Sequence, residues 1–244
     1  MSPIQDHPLR YHLANELHAR PFPAMLSPST VIYLAVKQPK EAVHRDRSLD
    51  VVHLKALLDR HGAAHPQPGA THHSAQLGRY TLKWEQHTEF VSYTLYGDGV
   101  SERAFDPADF DVFPDDWLSN APGQRVTSAL LRIVPRPDAP EIAEAVRDWF
   151  VPESLAVATV LDGVAVIAGD FRVDPAGHMR FAMFIAPGTG PRRVGRIAQR
   201  LCEIETYKAM SMLGLFRARQ MSGDIGAAEG KLTELMAQMA EGTN

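Results

Sequence analysis

Three apolar runs near the middle of the second half, Leu155–Leu161, Val164–Val173 and His178–Ala186, are punctuated by two strong turn sequences, Asp162-Gly163 and Asp174-Pro175-Ala176-Gly177. Short alternating runs joined by Asp, Gly and Pro form strands that return on themselves. This stretch therefore predicts an antiparallel meander, and that constrains the rest of the chain to cover at least one face of a sheet.

What surrounds the meander can supply that cover. Thr30–Lys37 is β-branched and apolar enough for a buried strand, and a helix is expected from Val43 through Leu58, ending near Gly62. The stretch from Gln76 to Tyr96 is too long for one strand and reads as two, Leu77–Glu85 and Glu89–Tyr96, hinged within Gln86-His87-Thr88. Asp98–Gly123 is acidic and aromatic, and is expected to be irregular with a short helix at Asp115–Ser119. A strand at Val126–Val134 and a helix at Pro140–Phe150 follow, and an N-terminal helix is expected from Pro8 to about Ala19. The fold class is α+β, with a mainly antiparallel sheet, flanking helices and a C-terminal helical extension.

Past Gly188-Thr189-Gly190-Pro191, apolar residues at Val194, Ile197, Leu201 and Ile204 recur at helical spacing. Ser222, Gly223 and Gly226 weaken the pattern, so two helical segments are expected, the second with Ala228, Leu232, Leu235, Met236 and Met239 on one stripe. The reading divides the chain into an α+β domain, 1–190, and a helical extension, 191–244.

A chain of 244 residues buries enough surface to fold without a metal or disulfide. Its net charge of −4 argues against a protein built around nucleic-acid phosphates. Cys202, the single cysteine, suits a reducing compartment, and the N-terminus lacks a secretory pattern, so a cytoplasmic location is expected.

Four groups of residues can carry chemistry. In Asn15-Glu16-Leu17-His18-Ala19-Arg20-Pro21, helical spacing lets Glu16 pair with His12 or Arg20, which reads as a surface ion pair or as a cluster able to hold an anion or move a proton. In Trp84-Glu85-Gln86-His87-Thr88-Glu89-Phe90, one continuous strand would place Glu85, His87 and Glu89 on one face as metal ligands or acid–base groups, whereas a hairpin would crowd them at a turn. Gly188, Gly190, Arg192 and Arg193 open a helix, and Arg196 follows, so they read as an anion site or as a glycine-rich connector. Glu203, Glu205 and Tyr207 with Lys208 read as the surface of an amphipathic helix. His61, His65, His72 and His73 flank a Pro/Gly loop without a recognised zinc spacing. No cofactor is evident. A divalent metal is the option left open, with His18, Glu85, His87 and Glu89 as candidate ligands.

Taken together, His7-Pro8-Leu9-Arg10, the Asn15–Pro21 and Trp84–Phe90 motifs and Leu201-Cys202-Glu203-Ile204-Glu205-Thr206-Tyr207 resemble the bacterial membrane-anchored proteins of the domain-of-unknown-function 3422 family, in matching order from His7 to about Arg219. The resemblance implies long helices leading to a hydrophobic C-terminal pair, a layout similar to that of CorA-type magnesium channels. It implies inner-membrane anchoring of full-length relatives through a part this sequence lacks. On this basis the chain is expected to be a non-enzymatic, ligand- or ion-sensing module that forms a homo-oligomer through its terminal helices. The alternative is a metal-assisted hydrolase or other acid–base enzyme.

Overall fold

A computed structural model describes residues 4–8, 10, 22–39 and 45–241. The expected N-terminal helix lies largely outside the described residues. Among the described residues eight strands form one sheet: β1 (Ser29–Lys37), β2 (His72–Leu77), β3 (Tyr80–Gln86), β4 (Phe90–Asp98), β5 (Gln124–Pro135), β6 (Ala156–Val160), β7 (Ala165–Gly169) and β8 (Met179–Ile185). Their order is β2-β3-β4-β1-β5-β8-β7-β6. Every pairing is antiparallel except β5 with β8. The meander is present as β6, β7 and β8, and the α+β class holds.

The helices are α1 (Ser48–Arg60), α2 (Asp115–Ser119), α3 (Ala139–Trp149) and α4 (Pro191–Glu241). Alternation along each strand sorts side chains onto two faces. One face gives Ile32, Leu34, Val36, Leu82, Trp84, Tyr93 and Leu130 to a core shared with Leu54, Leu57 and Leu58 of α1, Val146 of α3, and Phe105, Phe110, Phe113 and Trp117 from the acidic aromatic segment. The opposite face presents Val31, Tyr33, Ala35, Leu131 and Ile133, all buried. Val194, Ile197 and Ala198 of α4 are also buried, and Lys83 on this face bonds to Gln199 of α4. The first turns of α4 therefore cover it.

Three expectations need correction. Helix α1 starts at Ser48, five residues later than Val43, because Asp46 accepts from both the backbone N–H and the hydroxyl of Ser48 (2.9 and 2.6 Å) and folds the approach into a local turn. The expected strand Leu77–Glu85 is interrupted: Gly78, at φ +58°, turns the chain between β2 and β3, and a side chain would strain there. Helix α4 runs unbroken through Ser222–Gly226, so a second helical segment does not separate. Glycine lowers helix propensity by about 1 kcal/mol without by itself ending a helix. The chain divides into two compact units, Met1–Glu203 and Ile204–Asn244.

The core carries a buried histidine that makes stability depend on pH. Nε2 of His53 donates to the Trp117 carbonyl (2.9 Å), which fixes the tautomer, and Nδ1 accepts from the Tyr93 hydroxyl (2.8 Å). The ring stacks on Trp117 at 3.9 Å, and the Trp117 indole donates to the His53 carbonyl at 2.9 Å. Burial lowers the His53 pKa below its ordinary value near 6.5, and burial does the same to His178. Both are neutral when folded and protonate more readily when unfolded. Stability is thus complete above about pH 6.5 and declines as pH falls through the lowered folded values. Urea melts should give a lower midpoint at pH 5.5 than at pH 7.5, with part of the difference removed in His53→Gln; an unchanged or higher midpoint at pH 5.5 would count against this assignment.

Candidate functional site

The Trp84–Phe90 motif is a hairpin, with β3 ending at Gln86, β4 beginning at Phe90, and the His87 N–H donating to the Phe90 carbonyl at 2.9 Å. This separates the three residues that a single strand would have aligned. Glu85 points to the α4 side of the sheet, where its Oε1 lies 3.0 Å from Lys83 Nζ. The His87 ring stacks on Phe90, with centroids 4.1 Å apart. Glu89 is half exposed and pairs with Lys37 at 2.8 Å. Among the described residues no group of three or more His, Cys, Asp or Glu side chains is placed to hold a metal ion. Asn15, Glu16, His18 and Arg20 lie outside the described residues. The loop histidines are engaged separately, His65 with Asp59 (2.6 Å) and His73 with the Ala64 carbonyl (2.9 Å).

Register explains a polar patch that no short motif announces. Lys83 stands opposite Thr94, which stands opposite Tyr33; one row away, Glu85 stands opposite Ser92, and Thr81 opposite Tyr96. These side chains share the face beneath α4. Lys83 Nζ donates to Gln199 Oε1 (3.0 Å), and Gln199 Nε2 donates to Glu203 Oε1 (2.7 Å), so a chain of polar contacts runs from the sheet up the helix. Burial first, then the nearby Cys202 and Glu85, push the Tyr96 phenol well above its ordinary pKa and keep it neutral. Lys83 is itself buried, and placing its charge there relies on these partners. Farther along α4, Lys208 Nζ lies 2.5 Å from Glu205 Oε2, and Tyr207 is exposed.

The expected helix opening is where the sequence pointed. Gly188, at φ +76°, lets the chain leave β8, and α4 begins at Pro191. The Met25 N–H donates to the Pro191 carbonyl at 3.0 Å, and the Arg196 guanidinium lies over the Phe22 ring at 5.3 Å, fixing the first turns. Opposite them stands the β6–β7 turn, with Leu161 and Asp162 both at positive φ and the Gly163 carbonyl held by Arg136 (2.7 Å). The Ala186 N–H donates to the Val164 carbonyl (2.9 Å) and draws the two segments together.

Between them lie two adjoining cavities. One, of about 650 Å³, is bounded by Asp162–Val164 and Ala186–Arg193. The other, of about 510 Å³, is bounded by Leu161, Asp162, Val164, Arg192, Arg193, Arg196 and Arg200. Arg192, Arg196 and Arg200 are four apart, and Arg193 adjoins them, so four exposed guanidiniums edge one cavity. Asp162 shares the wall, but no described carboxylate comes within 4.0 Å of any of the four. The first turn of α4 contains no acidic residue. Sequence reasoning found Arg192, Arg193 and Arg196. It missed Arg200, although the four-residue spacing was available, and it missed Lys83, Tyr33, Tyr96 and Gln199, which only strand register brings together.

No curated protein matches the chain, and no solved structure matches it. A family model described as "Protein of unknown function (DUF3422)" matches residues 5–244.

Proposed function

We propose that this chain, which belongs to the DUF3422 family, is a non-catalytic regulatory module that binds a small multivalent anion of the phosphate class at Arg192, Arg193, Arg196 and Arg200. The observation that carries the reading is the set of four guanidiniums edging one cavity with no ion-pair partner among the described residues. Like charges at this spacing repel, and the N-terminal end of a helix adds partial positive charge instead of relieving it. A bound anion would relieve both. Guanidinium forks match phosphate oxygens in pairs, which favours phosphates over a halide. The polar chain from Lys83 through Gln199 to Glu203 gives the same helix a second hold on the sheet, through which occupancy at its start can be felt.

The hydrolase alternative gains nothing from the geometry, since Glu85, His87 and Glu89 each engage a different neighbour. The cytoplasmic location and the membrane anchor of full-length relatives belong to the proposal. No described helix is long and apolar enough to cross a membrane.

A ligand that binds only the folded state stabilises it by about 2.7 kcal/mol at one hundred times its Kd. For a chain of this size that corresponds to a rise in Tm of about 5–10 °C. Inorganic phosphate and pyrophosphate, titrated in a thermal-shift assay, should raise Tm in a saturable way, with pyrophosphate acting at lower concentration. Arg192→Ala combined with Arg193→Ala should remove the rise. A Tm indifferent to both anions, or an equal rise in the variant, would defeat the reading.

A further inference from the structure

Every residue from Ser211 through Met239 of α4 is exposed. Within this length Ala218, Met221, Ile225, Ala228, Leu232, Leu235 and Met239 follow one another at alternating spacings of three and four, with no polar residue interrupting. Such a seam, sustained for three heptads, is the signature of a helix that packs against another helix by knobs into holes. Gly223, Gly226 and Gly230 all fall on the outward side of this pattern, so they loosen the helix without breaking the seam.

We propose that this seam pairs with the same seam of a second copy of the chain, in antiparallel orientation. Charge beside the seam selects the orientation. Asp224 and Lys231 occupy the flanking positions before Ile225 and Leu232, and Glu229 flanks Ala228 on the other side. A parallel pair would bring Asp224 against the partner's Glu229, two like charges on each side of the dimer. An antiparallel pair brings Asp224 against the partner's Lys231, and symmetry supplies the contact twice. That alignment stacks Ala218 on the partner's Leu235, Met221 on the partner's Leu232 and Ile225 on the partner's Ala228. A small side chain thus meets a large one in two of the three layers, as interdigitation requires. Sliding the helices by one heptad in either direction sets Asp224 against its own copy or Lys231 against its own copy, so the register is fixed as well.

Extent is adequate. The overlap runs from 212 to 241, about 45 Å at 1.5 Å per residue, and helices about 12 Å across then bury roughly 1,100 Å² in total. That clears the about 1,000 Å² expected of a specific interface. The inference is independent of the anion site, and failure of either leaves the other standing.

Cysteine cross-linking of the full chain tests it. The Met221→Cys, Leu232→Cys double variant, oxidised mildly, should give a dimer whose tryptic map joins the peptide containing position 221 to that containing position 232. These positions lie about 16 Å apart along one helix, too far for an internal bridge. Links of 221 to 221 and of 232 to 232 would overturn the antiparallel arrangement. By sedimentation, the unmodified chain should be dimeric, Leu232→Asp should weaken the dimer at least tenfold, and Lys231→Asp should weaken it with rescue by Asp224→Lys in the same chain. A strictly monomeric chain at about 100 μM, or a dimer indifferent to Leu232→Asp, would overturn the pairing itself. Far-ultraviolet circular dichroism of the variants separates loss of pairing from loss of folding.

Discussion

Replacing Asp50 with alanine should cost about 3–5 kcal/mol, the range for breaking a buried ion pair from one side. The Arg45 and Asp50 side chains are only 3% and 1% exposed. Arg45 Nη1 donates to Asp50 Oδ2, and Nη2 donates to the carbonyls of His87 (2.9 Å) and Phe90 (3.0 Å). Gln86 Nε2 completes the network by donating to Asp50 Oδ2 (2.9 Å) and the Arg47 carbonyl (2.8 Å). The cluster ties the entry of α1 to the hairpin that carries His87. Without Asp50 the guanidinium stays buried and uncompensated, and that penalty, more than the lost attraction, sets the size of the effect. Asp50→Ala with Arg45→Met should recover most of the loss. A urea midpoint for Asp50→Ala equivalent to less than about 1 kcal/mol of destabilisation would show that the pair is not closed to solvent.

Gly195→Ala should also destabilise, by about 1–3 kcal/mol, although alanine is the better helix former. A Cβ at position 195 would lie 2.0 Å from the Pro23 carbonyl oxygen, a backbone atom that cannot rotate away. The segment of Pro23 is pinned nearby by the Met25 to Pro191 hydrogen bond, so either that strand of chain or the helix must shift. Position 195 lies between Arg193 and Arg196, and the shift should therefore lower anion affinity as well. Gly223, Gly226 and Gly230 provide the control: nothing lies within 4 Å of a Cβ built on any of them. Alanine there should stabilise the helix by about 0.5–1 kcal/mol each, read as increased helicity and a higher melting temperature. If Gly195→Ala behaves like these three, the close approach of Pro23 is wrong.

The sheet was readable wherever strand pattern and turn chemistry agreed. Asp162-Gly163 and Asp174–Gly177 separate alternating apolar runs, and β6, β7 and β8 follow them. Edge strand β2 was hidden because His72, Ser74 and Gln76 make one face polar and the other carries only Ala75 and Leu77 as apolar residues, and Leu77 was joined across Gly78 to the strand that follows. Helix α4 was misjudged in the opposite sense: the low helix propensity of Gly223 and Gly226 suggested a break where the heptad pattern continues. The Arg45–Asp50 pair left no local signature, since a five-residue separation across a loop belongs to no helical or strand period.

The candidate site divides in the same manner. Gly188 through Arg193 was legible because a helix opening has its own punctuation. The wall contributed by Leu161–Val164 was not, because a hairpin turn 24 or more residues away meets it only through the sheet. Glu85 was found as a motif residue, while Lys83, two positions earlier on the same strand, was passed over. Its significance depends on Gln199, which no sequence spacing connects to it.

Calorimetric titration of the full chain with pyrophosphate decides whether the arginine-edged cavity binds a phosphate-class anion. Saturable binding at one site per chain is expected, weakened by added salt through screening and abolished in Arg193→Glu with Arg200→Glu. Heats that never saturate, or that are the same in the wild type and the double variant, would contradict it.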